Sequence, residues 1–353
     1  MSYIHLLPSC VITEGCRRAL LHDTQSNRSR LLSLELAAAL KLLSGRNAGA
    51  CHVYLQQLGM EAPAVTALLD ALIAEGFLLK SPVRLSFESL SDDFDQPFAI
   101  TNVIIDVAAA NQSLLPQMLR CFRSIACPHL QLRVYADMNP DQALIASLAA
   151  FAATDTLHSV ELFMPFFEDY QSLPALFRPA ALTGLVLYHA AANGVQVLSN
   201  RAQAVLLARP LDFPACCGIV DTAYFNFSLP HYTESRQHNS CLHRKISIDQ
   251  QGYIKNCPSM QEHYGHVSDT DFAEVLQTAA FRQRWHITKD QVTVCRNCEF
   301  RYVCTDCRAY LEQPDDAYSK PLKCGYDPYT CTWEDWSTHP AKQAAIAYYG
   351  FER

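Results

Sequence analysis

The stretch CRNCEFRYVCTDC, running from Cys295 to Cys307, constrains this chain more than any other part of it. It holds two CxxC pairs separated by five residues. Two-residue spacing lets a pair of thiolates converge on one centre while the turn between them offers backbone N–H groups to sulfur, so such a run reads as metal ligation rather than as core cysteine. Further cysteines flank it: Cys241 and Cys257 upstream, Cys324 and Cys331 downstream. Eight of the chain's fifteen cysteines therefore lie at or beyond residue 241, and the other seven are scattered before it. Cys295, Cys298, Cys304 and Cys307 can make one four-cysteine zinc site, leaving Cys241, Cys257, Cys324 and Cys331 for a second. Eight thiols equally suit two iron–sulfur clusters, or one centre of each kind, and the spacing alone leaves these alternatives open.

Composition bounds the rest. A chain of 353 residues with 50% hydrophobic content has room for two or three cored domains. The formal net charge of −7 and the lack of any long basic run argue against non-specific nucleic-acid binding, which needs Lys and Arg to neutralise phosphates. The opening MSYIHLLPSCVITEGC lacks the basic region and apolar segment of a signal peptide, and no run of eighteen apolar residues occurs. The expectation is a cytoplasmic protein with no membrane partner, whose cysteines ligate metal rather than form disulfides.

Residues 1–92 read as a small α+β unit. Strand-like stretches at Tyr3–Leu7 and Arg18–Leu21 precede helical patterns at Ser33–Leu43 and Pro63–Glu75, and Gly76 leads into an apolar Phe77–Leu79, as in a winged helix. Neither helix is basic, which favours a peptide or protein partner over DNA. Residues 97–210 alternate strand and helix. The apolar run Phe98–Val107 suits a strand covered on both faces, and the helix Leu114–Ile125 follows it. Leu130–Met138, helix Asp141–Ala153, Leu157–Phe166, a helix in the 170s, LTGLVLYHA and GVQVLSN continue the pattern. This predicts a parallel α/β sheet of four or five strands, too few for a complete eight-stranded barrel. Asp106 and Asp137 fall at strand ends, where capping or loop hydrogen bonding is the favoured role over a catalytic carboxylate pair.

Residues 211–353 carry the chemistry. Cys216 and Cys217 are adjacent, so both cannot easily face one centre, and a buried structural role is expected for at least one. A hairpin over His243–Asp249 and Tyr253–Cys257 brings Cys241 and Cys257 together across its arms, and Asp271–Trp285 reads as one amphipathic helix. Phe300, Tyr302 and Tyr310 would pack a cysteine knot that lacks an ordinary apolar core. Arg296, Arg301 and Arg308 would balance its charge or simply be solvated. His231 is a candidate base, with a structural or surface role favoured.

Three segments, NCPS (Asn256–Ser259), KDQVTVCRNCEFRYVCTDCRAY (Lys289–Tyr310) and SKPLKCGYDPYT (Ser319–Thr330), closely resemble the SPASM-domain peptide maturases of "grasp-with-SPASM" systems. The resemblance is strongest over residues 241–333. It implies a radical-SAM-like partial (β/α) barrel with an N-terminal winged-helix-like domain for a ribosomally synthesised precursor peptide, and a C-terminal SPASM domain. It further implies one or two [4Fe–4S] clusters and an ATP-grasp ligase as partner. Under it, Cys295, Cys298, Cys304 and Cys324 hold one cluster, and Cys307 joins Cys241 and Cys257 at the other. The family's extra cysteine before the position of Cys241 is missing, so its place falls to Cys331, Cys216, Cys217 or His238, or stays open. The CxxxCxxC motif of radical S-adenosylmethionine enzymes is absent from the sequence, since Cys121 and Cys127 are wrongly spaced and Cys10 and Cys16 have no third partner. S-adenosylmethionine cleavage is therefore not expected. The resemblance implies a protein that positions a peptide, with an iron–sulfur enzyme or a zinc-stabilised interaction module as alternatives.

Overall fold

A computed structural model describes residues 2–154, 156–177, 182–200 and 202–351. The N-terminal unit holds six short strands and three helices: β1 (Tyr3–Leu6), β2 (Cys10–Glu14), β3 (Arg18–Asp23), β4 (Ser29–Ser33), α1 (Leu34–Leu43), β5 (Arg46–Asn47), α2 (Ala48–Gln57), α3 (Ala62–Ala74) and β6 (Leu78–Ser81). They make two antiparallel sheets, in the orders β5-β1-β6 and β2-β3-β4. Ser33 caps α1 by accepting from Leu36 N, and Asn47 caps α2 by accepting from Ala50 N, so each helix starts where a side-chain oxygen meets an orphan donor. Along β3, Ala19 and Leu21 pack with Leu40, Leu55, Val65 and Leu72 of the helices, while Leu20 on the opposite face packs with Phe300 and Val303 far along the chain. Alternation along one strand thus seats this sheet between its own helices and the cysteine-rich region. Strands β2, β4 and β5 and helix α2 were not legible as separate elements in the sequence.

The central sheet has eight strands in the order β11-β12-β10-β9-β8-β7-β13-β14. They are β7 (Asn102–Val107), β8 (His129–Val134), β9 (Ser159–Pro165), β10 (Leu182–Tyr188), β11 (Gly194–Val197), β12 (Gln203–Leu207), β13 (Lys245–Ile248) and β14 (Ile254–Lys255). The neighbours from β12 to β13 are parallel, and β11 and β14 attach antiparallel at the two ends. The sheet is open and larger than the sequence suggested. GVQVLSN forms the antiparallel edge strand β11 instead of continuing the parallel series, and β12 was missed. The cysteine-region hairpin is itself part of this sheet, because β13 pairs with β7.

Helices α4 (Leu115–Arg123) and α5 (Gln142–Ala152) cover one face, burying Met118, Phe122, Leu144, Leu148 and Phe151 against Val103, Ile105, Leu130, Leu132, Val160 and Leu162. Asp141 caps α5 by accepting from Leu144 N. Parallel strands are usually covered on both faces. Here the second face is polar, with Asn102, His129 and Ser159 in register in one row and Ile104, Gln131 and Glu161 in the next. Asp106 and Arg133 follow as a buried ion pair, Arg133 Nε donating to Asp106 Oδ1 at 2.6 Å and Tyr135 Oη to Oδ2 at 3.1 Å. Asp137 accepts from Ala109 N at 3.1 Å. Both carboxylates therefore take structural partners.

Beyond the sheet run α6 (Leu173–Leu176), α7 (Phe213–Cys216), α8 (Leu229–Gln237), α9 (Phe272–Leu276) and α10 (Ala279–Gln283). The single helix expected over Asp271–Trp285 is broken. Asp271 and Glu274 form a capping box at the start of α9, and Thr278, in extended conformation, separates it from α10. No helix among the described residues is long and apolar enough to cross a membrane.

Candidate metal centre

Two groups of thiols gather in the C-terminal region. In the first, Cys217, Cys241, Cys257 and Cys307 lie within electrostatic reach of one another, and the Lys245 ammonium faces three of them. Lys245 Nζ donates to Cys241 Sγ at 3.6 Å. A hydrogen bond from the Cys257 thiol pulls Cys217 below its ordinary range and, with burial, pushes Cys257 well above it. Burial raises Cys307 to about 12. In the second group, Cys295, Cys298, Cys304 and Cys324 together line one cavity with Lys289, Lys320, Phe225, Phe300, Tyr326 and Trp333. That cavity frames about 390 Å3 of atom-free space, its solvent mouth included. Burial raises Cys295 to about 12 and Cys298 well above the ordinary thiol range.

Cation binding must therefore displace protons in both groups, and the buried lysines assist by favouring thiolate. Lys289, only 3% exposed, donates to Cys304 Sγ and to Thr305 O. The thiolates raise the Lys289 and Lys245 ammonium groups above the ordinary lysine value against the opposing effect of burial. Backbone donors contribute too, with Phe300 N donating to Cys298 Sγ at 3.4 Å. Asp306 lies between the groups, close enough to raise Cys241 on one side and Cys295 and Cys304 on the other. Its carboxylate is paired with Arg308 and accepts from Asn239 Nδ2 at 2.9 Å.

The placement of Cys217 depends on two neighbours. Gly218 has φ of +77°, and a Cβ there would lie 2.7 Å from Cys307 Sγ, so only glycine lets the chain pass this close to the sulfur. Lys323 is fully buried and donates to Pro214 O, Ala215 O and Cys217 O at 2.6, 3.0 and 2.9 Å, tying down the loop that presents Cys217. It also stands over the rings of Phe351 and Tyr310 at 4.0 and 4.4 Å, which supply a face for a cation held away from water. Burial lowers it to about 8.

The structure thus brings together seven of the eight cysteines singled out as ligands and adds Cys217 to them. Cys216 is exposed, and Cys331 stands behind the wall of the second cavity without lining it, its Sγ 3.8 Å from the O of Pro328, a lining residue. His238 stacks on His243 at 3.7 Å. His231 is held near 4 by burial. Cys10, Cys51, Cys121 and Cys127 are buried in apolar cores. Arg301 pairs with Asp290, and Arg296 donates to its own turn at Thr293 O. Lys245, Lys289, Lys323 and Gly218 were missed; their signals were lysines four residues after Cys241, six residues before the CxxC run and directly before Cys324, and a glycine directly after a cysteine pair. Among the described residues no group of three or more His, Cys, Asp or Glu side chains is placed to hold a metal ion.

Two clefts lie beside the first group. One is lined by Asn102, His129, Gln131, Ser159, Glu161 and Lys245 on the polar face of the sheet, and the other by Asn102, His129, His158, His231 and Glu234 together with Phe94 and Phe98. Asn102 and His129 line both, so the two are neighbours. Lys245, which lines the first, reaches Cys241.

No protein-family model and no curated protein matches this chain. Among solved structures, Streptococcus suis SuiB bound to S-adenosylmethionine is 9% identical over 90% of this chain and 98% of that one, with a TM-score of 0.33. BtrN in an open conformation is 10% identical over 57% of this chain and 94% of that one, with a TM-score of 0.31. The heterocyclase TruD is 13% identical over 42% of this chain, with a TM-score of 0.20, and the matched part spans 24% of TruD. None of these likenesses reaches a TM-score of 0.5, so the functional reading rests on the site itself.

Proposed function

We propose that this chain is an iron–sulfur protein that captures a ribosomally made precursor peptide and positions it for modification, with an ATP-grasp ligase as the partner that forms the bond. The observation that carries the reading is the arrival of Cys217 beside Cys241, Cys257 and Cys307. With it each group offers four thiols, the donor set of a [4Fe–4S] cluster, and neither centre needs an iron left open for substrate. The bound clusters would supply structural cross-linking and electron transfer. The chain's own residues do the rest: Lys245 and Lys289 balance anionic sulfur, Gly218 and Lys323 hold the Cys217 loop, and the backbone N–H of Phe300 steadies Cys298.

Peptide capture is supported by β4. It is an edge strand of the β2-β3-β4 sheet, and α3 ends beside it, with Arg30 paired to Glu75 at 2.6 Å just past the helix. A strand edge next to a helix is a recurring seat for an extended peptide. The ligase partner rests on the motifs Lys289–Tyr310 and Ser319–Thr330. A second reading, electron transfer to the bound peptide, is favoured by the cleft that reaches Lys245.

Anaerobic purification with iron, sulfide and zinc counting tests the cluster assignment. About eight irons and eight sulfides per chain are expected for two clusters. Colourless protein carrying zinc and no sulfide would overturn it.

A further inference from the structure

The turn between β2 and β3 is pressed against the second thiol group. Cys16 N donates to Asn297 O at 2.8 Å, Arg17 Nε to Tyr329 O at 3.1 Å, and Arg301 Nη1 to Glu14 O at 2.6 Å. Arg18 pairs with the buried Glu299 carboxylate, which also accepts from Tyr326 Oη. A Cβ on Gly15 would lie 2.8 Å from Glu299 N, so the two backbones meet with no side chain between them.

Inside this contact Cys16 Sγ donates to Pro328 O at 3.1 Å, and Cys331 Sγ approaches the same oxygen at 3.8 Å. Sharing one oxygen limits the two sulfurs to a separation of about 7 Å at most, so a disulfide needs both side chains to turn toward each other. Cys331 is held there by a hydrogen bond from its own N to Asp327 O at 2.8 Å, with φ of +60°, a conformation few non-glycine residues adopt. Both cysteines are half-buried, neither belongs to the two groups of four, and the remaining thiols outside those groups are core-buried except for the exposed Cys216.

We propose that Cys16 and Cys331 form a modification site, a thiol pair that small-molecule disulfides of the glutathione type oxidise to an intramolecular disulfide joining the N-terminal unit to the cysteine-rich region. The thiolate of one cysteine attacks a sulfur of the oxidant, forming a mixed disulfide and releasing one thiolate. The second cysteine's thiolate attacks the protein sulfur of that mixed disulfide, forming the Cys16–Cys331 bond and releasing the other half of the oxidant. Two electrons pass to the oxidant, and the protons given up by the two cysteines go to the two released thiolates. The contact that holds the hairpin tip in place raises the effective concentration of the second thiol, so the mixed disulfide resolves internally.

The test uses the iron-loaded full chain, treated anaerobically with glutathione disulfide, blocked with N-ethylmaleimide, digested with trypsin and read by mass spectrometry. The expected result is one dominant linked peptide pair, with fragmentation placing the bond between Cys16 and Cys331 rather than Cys324, and with iron content unchanged. Cys16→Ser should instead accumulate glutathione on Cys331. Wild-type protein that carries glutathione on either cysteine without the link, links either to another cysteine, or leaves both thiols free would overturn the proposal.

Discussion

Gly218 is the residue on which the first thiol group turns. Its left-handed backbone and the 2.7 Å gap to Cys307 Sγ leave no room for a methyl group. Gly218→Ala is expected to strain the loop by about 1 kcal/mol or more and to push Cys217 or Cys307 out of place. Iron content should fall by about half while the spectrum of the second centre persists, and undiminished iron would show that Cys217 is not a ligand. His22 is one of several histidines lowered by burial that add to acid sensitivity. His22 is fully buried between Phe227 and Tyr232, neither ring nitrogen meets a hydrogen-bond partner among the described residues, and burial depresses it to about 4. The unfolded chain, with its ordinary histidine, takes up a proton that the folded chain refuses. The His22 contribution to stability is therefore fully present above about pH 6.5 and is lost as pH falls from there toward 4, by about 3 kcal/mol at most. His22→Phe keeps the ring and removes the titration, so urea midpoints at pH 7 and pH 5 should lie closer together in the variant. An unchanged pH dependence would assign the acid sensitivity to other groups.

Among the elements, β4 makes the claim most open to test. Its ladder with β3 alternates, and Asp23 N bonds to Arg28 O, which places the N–H of Leu31 on the outer edge. Leu31→Pro removes that donor without taking a bond from the β3–β4 ladder. A precursor peptide that binds as an added strand should lose affinity by at least tenfold in fluorescence anisotropy, while the thermal midpoint moves by only a few degrees; equal affinity would place the peptide elsewhere. Elements of this chain were legible where one physical signal dominated. The apolar run ending at Val107 announced β7, although α4 and α5 cover only its Val103 and Ile105 face and not both faces as expected, and the helix read over Asp141–Ala153 matches α5. The polar second face of the sheet was not legible as the wall of a cleft, because Gln131 between Leu130 and Leu132, and Glu161 between Val160 and Leu162, equally describe strands with one side simply in water. The break between α9 and α10 was hidden for a related reason: Thr278 fits a helical apolar period and acts here as a non-helical joint.

For the whole molecule, the cysteine region is built into the other two regions. Its hairpin supplies β13 to the central sheet, and its Glu299 and Asn297 hold the N-terminal turn. Metal loading should therefore stabilise the chain well beyond the cysteine knot, as expected when ligand binding is coupled to folding. The sequence pointed to seven of the eight gathered thiols, four through the local CxxC spacing and Cys241, Cys257 and Cys324 through the hairpin, their flanking positions and the family resemblance. It left the eighth among several choices, since a loop some twenty residues from Cys241 is brought to the site by tertiary contacts such as those of Lys323 and Gly218. The central claim is the division of thiols into Cys217, Cys241, Cys257 and Cys307 on one side and Cys295, Cys298, Cys304 and Cys324 on the other. Mössbauer spectra and iron counts of anaerobically prepared Cys217→Ser and Cys331→Ser test it most directly. The division predicts that the first variant loses or alters about half of the cluster iron and that the second keeps all of it. Full iron with unchanged spectra in Cys217→Ser, with the loss appearing in Cys331→Ser, would contradict it.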